Sequence, residues 1–133
     1  MLKETGFAIT ISSGVVVAEE TDTALSVANL MRDHNIGAVV ILKNEKIVGI
    51  VSERDIVRKV VCKQLSAKTI KIKQIMTSEV VTADIKDGLN KIHEIMCQSP
   101  FRHLPIVKSG KLIGIVSSRN LISSLAPKNF SKK

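Results

Sequence analysis

The pattern of apolar and polar positions in the first half of the chain predicts five elements. A short apolar run at 15–17 is typical of a strand, and apolar residues at helical spacing between 24 and 31 indicate an amphipathic helix. Two β-branched runs, 38–42 and 47–51, are separated by four polar residues and predict a hairpin. A second helical pattern covers 56–61, so the predicted order is β-α-β-β-α.

The second half of the chain predicts the same five elements in the same order. Its apolar runs and helical spacings lie at 80–82, 89–96, 104–107, 112–116 and 121–125. The hairpin strands are apolar almost without a break, which predicts strands that are covered on both faces. We therefore predict an α+β fold made of two β-α-β-β-α repeats.

The two halves are copies of one unit, because they align at an offset of 65 positions without a gap. Gly49–Asp55 reads G-I-V-S-E-R-D, and Gly114–Asn120 reads G-I-V-S-S-R-N. Between 11–60 and 76–125 roughly 14 of about 50 aligned pairs are identical, and many others exchange one apolar residue for another. A repeat that keeps its phase is one structural unit used twice, so we expect function in what the two copies build together.

Polar residues at the ends of these patterns indicate where helices begin and end. Asp22 and Asp87 precede the first helical pattern of each copy and are predicted to be N-caps or first-turn acids. Ser52 and Ser117 occupy the expected N-cap positions of the second helices. The first helical pattern ends at Asn35.

Net charge is the compositional feature that bears most on partners. The 133 residues carry a formal charge of +8, which favours nucleotides, nucleic acid or an acidic protein surface, with a merely solvated basic surface as the alternative. Several lysines lie at 63–73 and in the tail after Pro127, away from the repeated motifs. Trp and Tyr are absent and only three Phe are present, so the core is aliphatic and a base-stacking platform is difficult to build.

Other residue types argue against several classes of protein. Cys62 and Cys97 form no metal-binding pattern, so a reduced, cytoplasmic chain is expected. His34, His93 and His103 share no metal-ligand spacing, and the glycines form neither a P-loop nor a dinucleotide fingerprint. We expect no catalytic activity, no obligatory cofactor, no signal peptide and no membrane span.

The order of the elements, with a G-h-x-S-x-R-D/N motif closing each copy, resembles a pair of CBS domains, named after cystathionine β-synthase. The segments Ile75–Thr77 and Phe101–Val107 fit the same family. The resemblance covers about residues 8–126 of the chain. We predict the following division: repeat 1 at 8–62, a linker at 63–75 with a short helix before Met76, repeat 2 at 76–126, and a basic tail at 127–133.

The resemblance implies a regulatory, non-catalytic function. CBS repeats pair about a pseudo-twofold axis, and their clefts bind adenosine-containing ligands such as AMP, ADP, ATP or S-adenosylmethionine. Two pairs commonly stack into a flat homodimer. Most pairs are fused to an enzyme, a channel or a transporter, and since nothing is fused here we expect the chain to signal to a separate effector protein.

In the first copy, Ser52 and Asp55 are the principal candidate ligand-binding residues. Ser52 ends a strand and starts a helix, whose N-terminus favours an anion. The Asp55 carboxylate can accept two hydrogen bonds at once, as from the 2′ and 3′ hydroxyls of a ribose, and the resemblance implies such a contact. Arg54 can neutralise a phosphate, and Val16 and Ala38 are candidates for an adenine slot. The alternatives are a plain N-cap, a first-turn acid, a solvated arginine and core aliphatics.

The second copy differs at the positions that would meet a ligand. Its candidate residues, in chain order, are Thr82, Arg102, His103, Pro105, Ser117, Arg119 and Asn120. Asn120 replaces the aspartate and lacks its charge, so ribose binding should weaken. Arg102 can grip a phosphate bidentately and His103 adds a pH-dependent charge, and the resemblance implies phosphate contacts at this place. An exposed arginine and a locally packed histidine are the alternative.

These observations predict a homodimeric sensor of an adenine nucleotide, with one or two sites per chain that are not equivalent. Ligand would bridge the repeats and shift their relative angle, to an extent limited by its differential affinity for the two states. Two alternatives are a nucleic-acid-binding protein that uses the basic surface and a structural interaction module with empty clefts.

Overall fold

The computed structural model describes residues 15–98 and 102–118, and it divides them into two compact units. The first unit is Val16–Val80, and the second contains the described residues from Val81 onward. Each unit has one three-stranded sheet, in which a short parallel strand pairs with a β-hairpin. The predicted α+β fold of two repeats is therefore confirmed.

The first unit follows the predicted order, and its second helix changes form along its length. Its elements are β1 (Val17–Glu19), α1 (Ala24–His34), β2 (Ala38–Lys43), β3 (Lys46–Ser52), α2 (Glu53–Ile56), a π-helix (Val57–Val61) and a 3-10 helix (Ile72–Gln74). The N–H of Cys62 donates to the carbonyl of Val57 at 2.9 Å, the wider bond of a π-turn. The 3-10 helix is the short helix predicted before Met76.

The second unit repeats this order over the part of it that the structure describes. Its elements are β4 (Ala83–Asp84), a 3-10 helix (Ile85–Asp87), α3 (Gly88–Gln98), β5 (His103–Lys108) and β6 (Lys111–Ser117). The offset of 65 positions holds in the strand pairing, since Ala38 faces Ser52 in the first hairpin and His103 faces Ser117 in the second. The helix predicted over 121–125 lies outside the described residues.

Both hairpins turn more tightly than the four-residue connections that the sequence predicts. The strands continue until two residues remain in each turn. Asn44 and Glu45 have φ angles of 51° and 66°, and Ser109 and Gly110 have φ angles of 52° and 79°. Two successive positive φ angles are those of a type I′ turn, whose twist matches that of the paired strands.

Each unit has its own aliphatic core on one face of its sheet. The buried core residues are Ala18, Ala24, Val27, Met31, Val39, Ile41, Val51, Val60, Ile72 and Ile75 in the first unit, and Ala83, Leu89, Ile92, Leu104, Ile106 and Val116 in the second. Along β2, Val39 and Ile41 face this core, and Ala38 and Val40, which alternate with them, are buried as well. The prediction that this strand is covered on both faces is confirmed.

Asp22 caps the end of β1, so its predicted role at the start of a helix is wrong, whereas Asp87 is a first-turn acid of the 3-10 helix before α3, as predicted. Their Oδ2 atoms accept hydrogen bonds from the backbone N–H three residues earlier, at 2.9 and 3.0 Å. The N-cap of α1 is Thr23, whose Oγ1 accepts from the N–H of Ser26 at 3.1 Å. The short Asp22 carboxylate, just after β1, reaches back to that strand, and the Asp87 carboxylate reaches back to Asp84, the N-cap of its own 3-10 helix.

The connecting segment, defined as residues 66–78, is built into the first unit. The N–H of Ala24 donates to the carbonyl of Ile70 at 2.9 Å, and the N–H of Ile72 donates to the carbonyl of Asp22 at 2.7 Å. Ile72 and Ile75 are both buried in the core of the first unit. The segment therefore contributes apolar side chains and backbone hydrogen bonds to this unit.

The end of the connecting segment extends the sheet beyond β3. Thr77 exchanges both of its backbone hydrogen bonds with Ile50, each at 3.0 Å. Immediately before it, Met76 packs across Gly49, where an added Cβ would overlap the thioether. The glycine of the first repeated motif thus makes room for a side chain of the connecting segment.

Candidate functional site

The corner where β3 ends and α2 begins holds the two principal candidates of the first unit. Ser52 has extended backbone angles, φ −109° and ψ 166°, and its Oγ accepts from the N–H of Asp55 at 3.2 Å. In return, Oδ2 of Asp55 accepts from the N–H of Ser52 at 3.0 Å and from its Oγ at 3.2 Å. This reciprocal capping box confirms Ser52 as the predicted N-cap.

The second oxygen of the Asp55 carboxylate also has a partner. Nζ of Lys59 lies 3.1 Å from Oδ1 of Asp55 and donates to the carbonyl of Ile75 at 3.0 Å. A carboxylate offers about four acceptor positions, two on each oxygen. The contacts with Ser52 occupy both positions on Oδ2, and Lys59 occupies one of the two on Oδ1. Oδ1 therefore keeps one acceptor position for a ligand hydroxyl, whereas a hydrogen bond to each oxygen would displace an existing partner.

Lys59 is a residue of this site that the sequence reasoning missed. It follows Asp55 by four positions along one helix, and an acid followed by a base at this spacing is a known signal for an ion pair. The side chains of Lys59 and Asp55 are 39% and 18% exposed, so the pair is only partly in contact with solvent.

The backbone N–H groups of the first helical turn are partly engaged. The N–H of Glu53 donates to the carbonyl of Gly37 at 2.9 Å, and that of Asp55 donates to Ser52. An anion at this corner would therefore depend more on side chains than the sequence predicts. Arg54 is exposed on the same turn and is available for that contact.

The sheet brings the other candidates of the first unit to the same end as this corner. Ala38 begins β2 and faces Ser52 across the hairpin. Val16 precedes β1, which runs parallel to β2, so it lies at that end as well. Ala38 is buried and Val16 is half-buried. Val16, Ala38 and Ser52 thus share one end of the sheet, and Arg54 and Asp55 lie on the helix that begins there.

The second unit places its described candidates in the corresponding arrangement. His103 begins β5 and faces Ser117, and the N–H of Ser118 donates to the carbonyl of Arg102 at 2.9 Å. Thr82 directly precedes β4 at this end of the sheet. Arg102 and Thr82 are exposed, whereas His103 and Ser117 are half-buried.

Of the other candidates in the second unit, one lies within a strand and two lie outside the described residues. Pro105 is buried on β5 next to the backbone of Ile115. Arg119 and Asn120 lie outside the described residues, so the counterpart of the Asp55 corner is defined by sequence alone.

Metal and membrane sites have no basis in the described part of the chain. Over 15–98 and 102–118, no three His, Cys, Asp or Glu side chains converge as metal ligands. Within the same ranges no helix combines the length and apolarity needed to cross a membrane.

The fold and the repeated sequence motif define a module of two homologous units, and comparison with known proteins identifies its family. The sequence profile of the CBS domain matches residues 8–62 and 72–127. Since the two matches cover most of the chain, the protein belongs to the CBS-domain family. Pairs of CBS domains are generally regulatory and non-catalytic.

Individual relatives agree with this assignment. A CBS-domain protein from Burkholderia ambifaria has a solved structure that is similar with a TM-score of 0.81 and 32% identity, covering 90% of this chain and 88% of that one. Uncharacterised proteins of Acidianus ambivalens and Methanopyrus kandleri are 38% and 36% identical, covering 84% and 81% of this chain. The chain spans 67% and 56% of the lengths of these two relatives.

Proposed function

We propose that this chain is a regulatory module that binds an adenine nucleotide and conveys its presence to a separate effector protein. The observation that carries the proposal is the Ser52–Asp55 corner, where a carboxylate with one open acceptor position lies at a sheet end beside small and apolar residues. Membership of the CBS-domain family supports it, because adenosine-containing ligands are typical of that family. AMP, ADP and ATP are the proposed ligands.

Each part of a nucleotide has a proposed partner at this end of the first sheet, and phosphate also has one at the corresponding end of the second. A ribose hydroxyl would donate to Oδ1 of Asp55, an interaction with a charged acceptor. Val16 and Ala38 would line the adenine, and the exposed side chains of Arg54 and Arg102 would serve phosphate in their respective units. A homodimer is the proposed assembly, as is common in this family.

Calorimetry with AMP, ADP, ATP and S-adenosylmethionine tests the proposal on the wild type and on Asp55→Ala. We expect Asp55→Ala to weaken binding by roughly tenfold or more, since a hydrogen bond to a charged group contributes about 1.5–3 kcal/mol. No detectable binding of any of the four ligands to the wild type at millimolar concentration would refute the proposal.

Asp22→Ala is the matched control for Asp55→Ala. It also removes a carboxylate that accepts a backbone N–H three residues earlier, but at the opposite end of β1. We expect Asp22→Ala to lower stability without changing nucleotide affinity. Equal losses of affinity in the two variants would mean that Asp55 acts through stability alone.

A further inference from the structure

The ammonium group of Lys59 joins the candidate ligand site to the connecting segment. Its Nζ lies 3.1 Å from Oδ1 of Asp55 and 3.0 Å from the carbonyl oxygen of Ile75. Oδ1 is also the carboxylate oxygen that keeps an open acceptor position. A ligand at Asp55 and the Lys59 side chain would therefore share one oxygen atom.

The Ile75 carbonyl lies just before the residues that fasten the connecting segment to β3. Met76 packs across Gly49, and Thr77 exchanges two backbone hydrogen bonds of 3.0 Å with Ile50. Along the chain, the second unit begins four residues after Thr77, at Val81. Lys59 thus holds the chain close to the point where it leaves the first unit.

The two repeats differ at both members of this ion pair. At the offset of 65 positions, Asp55 corresponds to Asn120 and Lys59 corresponds to Ser124. Arg54, by contrast, is matched by Arg119. Both charges of the pair are absent from the second copy, so coupling through this ion pair would be confined to the first.

We infer that Lys59 is a positioning residue that couples occupation of Asp55 to the pairing of Thr77 with β3. The inference rests on the proposed function and names the regulated element within it. A hydroxyl that donates to Oδ1 competes with the Lys59 ammonium group for the negative charge of Asp55. The ammonium group is then held less firmly, and its hydrogen bond to the Ile75 carbonyl weakens. By linkage, releasing that carbonyl changes ligand affinity by the same factor.

Amide hydrogen exchange of the full-length, ligand-free chain tests the structural half of this coupling. Lys59→Met should speed exchange at Ile50 and Thr77 roughly fivefold to tenfold, as expected for loss of a partly exposed charged contact that restrains local opening. Lys59→Arg, which keeps a cation, should restore slow exchange. Lys43→Met removes the 3.3 Å ion pair with Glu20 at the other end of the unit and should leave both amides unchanged.

A double-mutant cycle separates coupling from a purely local role of the lysine. In an Asp55→Asn background, Lys59→Met should change exchange at Ile50 and Thr77 much less than in the wild type, because the two residues act as one unit. Unchanged exchange in Lys59→Met, or equal effects in both backgrounds, would overturn the inference.

Millimolar AMP tests the ligand half. We expect AMP to speed exchange at Ile50 and Thr77, relative to the other amides of the unit, in the wild type and in Lys59→Arg but not in Lys59→Met. Equal responses in wild type and Lys59→Met would refute the coupling. If calorimetry detects binding of none of the four ligands, the proposed function and its coupling to Asp55 fail together, while the ligand-free experiment decides separately whether Lys59 holds the segment.

Discussion

The Asp55 carboxylate links helix stability to ligand affinity at a single side chain. It closes the capping box with Ser52 and pairs with Lys59, and it is the proposed acceptor for ribose. Loss of an N-cap interaction costs about 1 kcal/mol of stability, so substitutions here alter both properties. The sequence predicts the cap and the acid, but it does not reveal how many acceptor positions the folded chain already occupies.

Arg102→Ala should distinguish phosphate binding from ribose binding. The guanidinium group is exposed at the strand end of the second unit, and it can pair with a phosphate bidentately. We expect the variant to weaken ATP and ADP by about tenfold and adenosine hardly at all, as measured by calorimetry. Arg32→Ala removes another exposed arginine, one that pairs with Asp33 on α1, and serves as the control. Equal losses for ATP and adenosine would show that Arg102 does not contact phosphate.

Gly49→Ala should destabilise the protein through Met76. The added methyl group overlaps the thioether that packs across the strand, and overpacking of this kind costs about 1–3 kcal/mol. Urea unfolding measures the loss. Adding Met76→Ala to Gly49→Ala removes the overlapping atoms, so the double variant should lose less than the sum of the two single variants. Simple additivity would contradict the proposed contact.

Among the elements, the described strands and helices follow from the sequence, including the short helix before Met76, while the burial of the connecting segment in the first unit does not. The offset of 65 positions predicts the register, and the pairs Ala38–Ser52 and His103–Ser117 obey it. In the connecting segment, Ile70, Ile72, Ile75 and Met76 are all apolar, and the short pattern does not single out Ile72 and Ile75 as the buried ones. Their burial is decided by backbone hydrogen bonds to α1 and β3, which are tertiary contacts that a local pattern does not encode.

Ile72→Ala should therefore be as costly as a substitution in a strand core. The side chain is fully buried, and truncation of such an isoleucine costs about 2–5 kcal/mol in unfolding free energy. Leu65→Ala, at a nearby side chain that is 44% exposed, is the control and should change stability by less than about 0.5 kcal/mol. If chemical denaturation showed similarly small losses of unfolding free energy in both variants, the segment would only connect the two units.

At the scale of the whole molecule, the described sheets of the two repeats share one strand order, whereas the aligned sequences differ in charge. Both units have the same strand order and the same irregularity in the hairpin, between Ile41 and Leu42 and between Ile106 and Val107. The acid and the lysine of the first copy have uncharged counterparts in the second. We therefore expect two sites of unequal affinity, with ribose binding stronger in the first.

A thermal-shift panel tests nucleotide binding at the level of the whole chain. Adenine nucleotides at about one hundred times their dissociation constant should stabilise the folded state by about 2.7 kcal/mol and raise the melting temperature by several degrees. Cytidine nucleotides carry the same phosphates and should have little effect. Equal shifts with both bases would indicate attraction of anions to the basic surface, and no shift at all would favour a structural module.

The anchoring of residues 66–78 also fixes where the two repeats can be separated. A gene fragment that stops near residue 62 would discard Ile72 and Ile75, together with the backbone partners of Asp22 and Ile50. The exposed apolar surface and unpaired strand edge left behind are the features that promote aggregation. A first repeat intended for recombination with other CBS repeats should therefore extend to about residue 80, where the first unit ends.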